Sequence, residues 1–142
     1  MKQITTAFCA ALVAAPLLTG TLQAAQFTTA AEVKPILAVT KANWISVREF
    51  NGQDLLYVTH LWAWRCGLNE IRIGINGADP EVWPLPPCHL DQAAPNGILE
   101  GDGDPYRRYP LKSIESVRIE IVYDDQTGES LTVNRLGQPI GN

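Results

Sequence analysis

Two histidines, His60 and His89, two cysteines, Cys66 and Cys88, and three of the four tryptophans, Trp62, Trp64 and Trp83, fall within residues 54–91. Histidine titrates near neutral pH, so His60 or His89 beside a carboxylate such as Asp91 has the makings of a general acid–base pair in a small hydrolase or lyase. A nucleophile to go with it is missing from the sequence. There is no G-x-S-x-G turn, and both cysteines are better spent on each other. The four residues Cys66, Cys88, His60 and His89 also make up the inventory of a Cys₂His₂ zinc site. Their spacing does not fit the close C-x₂₋₄-C and H-x₃₋₅-H pairs such sites use, and no metal or other cofactor is expected.

Aromatic rings supply the second kind of chemistry. Trp62, Trp64 and Trp83, with Trp44 and Tyr57 near them in sequence, are the inventory of a stacking platform for a sugar ring or an anchor for an apolar peptide. The competing fate is burial against a disulfide, since tryptophan is highly buried on average. Together with His60 and His89 they form the candidate binding surface, bordered by the irregular stretch 89–110. Within that stretch Glu100, Asp102 and Asp104, alternating with glycines, put three carboxylates on one side of an extended loop. That is a weak calcium candidate without the full D-x-[DN]-x-[DN]-G pattern, and solvated turn acids are the plainer account. Arg107 and Arg108 between Tyr106 and Tyr109 read as a salt-bridged surface strand before they read as a phosphate site.

The elements that must hold these residues follow from periodicity. Thr29 with Glu32 three positions on is a capping box, and Val33, Ile36, Leu37 and Thr40 then recur at helical spacing. One helix is predicted over residues 32–41, with Pro35 pushing its start towards Lys34. Residues 44–50 and 55–61 are rich in β-branched and aromatic side chains and flank Asn51-Gly52, the strongest short-range hairpin signal. Extended through to Cys66, the second strand would put Leu56, Val58, His60, Trp62, Trp64 and Cys66 on one face. Residues 70–75 alternate isoleucines with polar residues and lead through Asn76-Gly77 to a short strand at 81–83, ended by Pro84, Pro86 and Pro87. This second hairpin returns Cys88 beside Cys66. A third hairpin is predicted from 116–123 and 131–133, with Gly128 at a left-handed turn position and residues 136–142 as a frayed tail.

The fold class is therefore mainly β (α+β). Antiparallel hairpins form a single twisted sheet or a small sandwich, with one short N-terminal helix and one disulfide. Ahead of the helix, Met1-Lys2-Gln3, an apolar run over residues 8–18 and small residues to Ala25 have the layout of a cleaved signal peptide, residues 1–24, which would carry Cys9 away. Residues 25–142 would then be one exported domain, periplasmic or secreted and of a bacterial type. In such a compartment two remaining thiols pair. With 11 basic and 15 acidic residues the formal charge is −4, and losing Lys2 makes it one unit more negative. That balance, without a basic cluster, argues against nucleic acid and against anionic membranes, and no membrane span is expected after cleavage. The partner would be an envelope protein or a small ligand. The leading expectation is a non-catalytic binding or protein-interaction module. A hydrolase or lyase and a structural envelope protein without a ligand are the alternatives.

Overall fold

The computed structural model describes residues 26–141; the signal-peptide expectation and Cys9 lie outside the described residues. The helix, α1 (Ala30–Val39), begins earlier than Pro35 alone would suggest, because its N-terminus is secured twice. The Glu32 carboxylate accepts from the Thr29 N–H at 3.2 Å and the Thr29 hydroxyl at 3.0 Å, and the Ala30 N–H donates to Asp124 Oδ1 at 2.8 Å. Those contacts offset the hydrogen bond that Pro35 removes. Ala30, Val33 and Leu37 form the buried stripe.

Two antiparallel sheets follow. The first is three-stranded and takes its strands in the order β1 (Ser46–Phe50), β2 (Gln53–Tyr57) and β5 (Tyr106–Pro110). The second is four-stranded, ordered β4 (Glu81–Trp83), β3 (Leu68–Ile75), β6 (Ser116–Tyr123) and β7 (Gly128–Asn134). All three predicted hairpins form. In the first, Asn51 and Gly52 both take positive φ, 49° and 74°, as a type I′ turn demands. One core joins the layers. Ile71, Ile73, Val117, Ile119, Ile121 and Val133 from the four-stranded sheet meet Val33 and Leu37 of α1, together with Trp44, Leu56, Val58 and Leu61.

Four expectations are corrected. The chain does not stay extended to Cys66: it leaves the sheet after Tyr57 and makes a helical turn, α2 (Thr59–Trp62), then a 3₁₀ turn, Arg65–Gly67. Leu61 and Trp62 are consecutive and both buried, and a strand would send them to opposite faces. In the third hairpin Gln126, at φ 67°, takes the left-handed position, while Gly128 already belongs to β7. The Asp125 carboxylate fixes that turn by accepting from the Thr127 N–H and hydroxyl at 3.1 and 2.7 Å. The tail is not frayed over its described part. It turns at Gly137, pairs Pro139 with Val133, and donates the Ile140 N–H to Thr132 O at 2.9 Å. Finally, the irregular stretch ends in a true strand, β5, in register with β2.

Candidate functional site

The disulfide joins Cys66 to Cys88, so neither sulfur is free to hold a metal. Beside it Arg65 is buried and donates to five main-chain carbonyls: Trp62, Pro86, Pro87, Asn96 and Gly97, at 2.7–3.1 Å. Such a fork suits one guanidinium and no other side chain. Asn96 adds its side-chain oxygen to the Cys66 N–H at 2.9 Å. The covalent bridge and the arginine thus clasp the same excursion of chain from both sides.

His89 and Asp102 meet inside this clasp, with Nε2 at 3.0 and 3.1 Å from the two carboxylate oxygens. The same carboxylate accepts the Leu99 N–H at 2.8 Å and lies 3.8 Å from Arg65 Nη2. The His89 hydrogen bond first, then the Leu99 N–H, hold its pKa below the ordinary carboxylate value. A carboxylate so engaged braces a loop. Asp91 is exposed and, among the described residues, bonds Gln92 and neither histidine, so the pairing of a histidine with Asp91 does not form. Among the described residues His60 has no carboxylate beside it: its Nε2 lies 2.8 Å from the Thr40 hydroxyl, and burial lowers its pKa.

Glu100 and Asp104 are exposed while Asp102 turns inward, so the three do not share a side. Among the described residues no three His, Cys, Asp or Glu side chains converge as a metal site would need. Trp62 and Trp83 are only 4% and 3% exposed, and Arg107 stacks over Trp83 at 4.1 Å. Their rings form the wall of a shallow cleft of about 250 Å³ and present no open face. Trp64 is half-buried, edge-on to Phe27 at 5.1 Å.

The open aromatic surface lies elsewhere, on the outer face of the three-stranded sheet. Alternation brings Arg48 and Phe50 of β1, Leu55 and Tyr57 of β2, and Tyr106 and Arg108 of β5 to one side. Register then places Arg48, Leu55 and Arg108 in one row across the sheet, and Tyr57 against Tyr106 in the next. Two strand spacings put the arginine backbones about 10 Å apart. Tyr57 and Tyr106 have centroids 5.1 Å apart, and the Arg108 guanidinium lies 5.0 Å from the Tyr106 ring and donates to its hydroxyl at 3.0 Å. Phe50 is 69% exposed. These residues line a cleft of about 350 Å³. Glu49, at its margin, is turned away and bonded to Arg135 at 2.9 Å. Among the described residues neither Arg48 nor Arg108 has a carboxylate within ion-pair distance. Sequence reasoning missed this face because β5 joins it from some fifty positions away. The i, i+2 pairs Arg48/Phe50 and Tyr106/Arg108 were its only local trace.

Comparison of the chain with protein-family models, with curated proteins and with solved structures finds no match.

Proposed function

We propose that the chain is a non-catalytic binding module, exported to the periplasm or beyond, with the outer face of the three-stranded sheet as its ligand surface. One observation carries this reading. In an acidic chain, Arg48 and Arg108 are exposed on the same face among three rings with no carboxylate partner among the described residues, Arg108 resting against Tyr106. Open cations flanked by aromatic side chains suit an anionic ligand. Titrating the full chain with polygalacturonate, polyglutamate and inorganic polyphosphate tests it. At least one binds saturably, and the double charge reversal R48E/R108E abolishes that binding. Binding of none, or binding that survives the reversal, removes the face as a ligand surface.

A structural role without a ligand is the second reading, favoured by the burial of Trp44, Trp62 and Trp83. It requires that no polyanion binds. The hydrolase or lyase reading would rest on His89 and Asp102, whose carboxylate is already committed to Leu99 and Arg65.

A further inference from the structure

We infer that the ligand of this face is an acidic sugar chain, one whose rings carry carboxylates. The inference rests on the reading of the face as the ligand surface and adds the chemistry of what sits there. The main chain of β2 is hydrogen-bonded to β1 on one side and to β5 on the other, so the cleft above it offers side chains alone. An extended acidic peptide draws its affinity from main-chain hydrogen bonds along an open strand edge; the free edges of β1 and β5 flank the cleft, and a chain crossing the strands between the two arginines gains none from its floor. A phosphate needs only the guanidiniums and would leave the rings without a role.

A uronic acid uses everything present. Its C–H-rich ring face packs on the rings of Phe50 and Tyr57, Arg108 already lying over Tyr106. Its hydroxyls match the side-chain amides of Asn51 and Gln53 at the cleft margin. Its carboxylate takes two parallel N–H groups from Arg48 or Arg108. With the arginines at opposite sides of the sheet, the chain would run across the strands and meet a cation at each end. The net negative charge of the rest of the molecule confines such a ligand to this patch and makes its binding sensitive to salt.

Calorimetric titration of the full chain with galacturonic acid oligomers at low salt tests the inference. Expected are saturable binding that weakens as salt is added, at least about a tenfold loss in R48E and in R108E, and a several-fold loss in F50A. Methyl-esterified oligomers, the same sugar without the charge, bind at least about tenfold more weakly, and so does polyglutamate, the same charge without the sugar. Arg48, Phe50 and Arg108 are exposed, so unchanged melting temperatures confirm that the variants fold. If polyglutamate or polyphosphate binds as well as the oligomers and F50A changes nothing, the sugar is overturned while the anion-binding face stands. If oligomer binding survives both charge reversals, or if none of the three polyanions binds, the face falls too.

Discussion

Asp54 and Arg135, 81 positions apart, are joined by two parallel hydrogen bonds: guanidinium Nη1 to Oδ2 at 2.6 Å and Nη2 to Oδ1 at 2.7 Å. The carboxylate is fully buried and also accepts the main-chain N–H groups of Lys112 and Ile114 at 3.0 and 3.2 Å. One acid on β2 therefore ties the first sheet to the link before β6 and to the turn after β7. D54N removes the buried member of the pair and leaves Arg135 only the exposed Glu49 as a carboxylate partner, and the expected loss in chemical denaturation is about 3 kcal/mol.

The same pair sets the acid limit of the fold. The Arg135 hydrogen bonds hold the Asp54 carboxyl well below the usual range. In the unfolded chain that group titrates near 4, so below about pH 4 the unfolded state takes up a proton that the folded state refuses. The stabilisation is whole above that value and drains away as the pH is lowered further. Melting temperature measured from pH 6 down to pH 2 falls more steeply in the wild type than in D54N; parallel curves would contradict the assignment.

His60 adds a second, milder slope. Burial depresses its pKa, so the folded state resists the proton that the unfolded chain accepts below about pH 6.5. Stability contributed by the neutral ring is present above that pH and declines below it. H60Q removes this component below about pH 6.5 and leaves the Asp54 slope intact.

Replacing Arg65 releases the excursion it holds. R65M forfeits all five carbonyl contacts, and limited proteolysis then cuts within residues 89–104 while the wild type stays whole. R65K does not rescue it, because three donors on one nitrogen cannot reach carbonyls arranged around a planar fork. Replacing Cys66 and Cys88 by serine costs about 3 kcal/mol. Because bridge and arginine restrain the same segment, their combined loss is smaller than the sum of the two.

Gly67 and Gly52 separate two reasons for glycine. A Cβ on Gly67 would lie 2.5 Å from Val33 Cγ2 and 2.8 Å from Thr29 O, so G67A pushes α1 off the 3₁₀ turn and costs about 2 kcal/mol or more. Gly52 has open space around it and only a positive φ to satisfy, and G52A costs about 1 kcal/mol. Equal destabilisation of the two would refute the close approach.

The parts legible in the sequence are those set by neighbours in the chain. Asn51-Gly52 fixes its hairpin through two adjacent φ angles, the Thr29–Glu32 box fixes the helix start, and Cys66 and Cys88 lie at the two ends of one hairpin. What could not be read depends on distant partners. Arg65 gave no sign of burial because its acceptors are carbonyls, which carry no sequence signature. Tyr106–Pro110 is polar in composition and becomes a strand only because β2 offers it a free edge. Of the indoles expected to gather, Trp62 and Trp83 line one cleft but are buried, with Arg107 over Trp83, while Trp64 lies against Phe27.

The returning tail has a bearing on how copies of the molecule meet. With residues 139–140 lying along β7, and β4 only three residues long before a run of prolines, the four-stranded sheet shows neighbours no long row of open amides. Edge-to-edge stacking would have to start from β1 or β5, the two outer strands of the other sheet, each five residues in length. A symmetric pair centred on either strand sets Arg48 or Arg108 against its own twin, and like charges face to face discourage the first step.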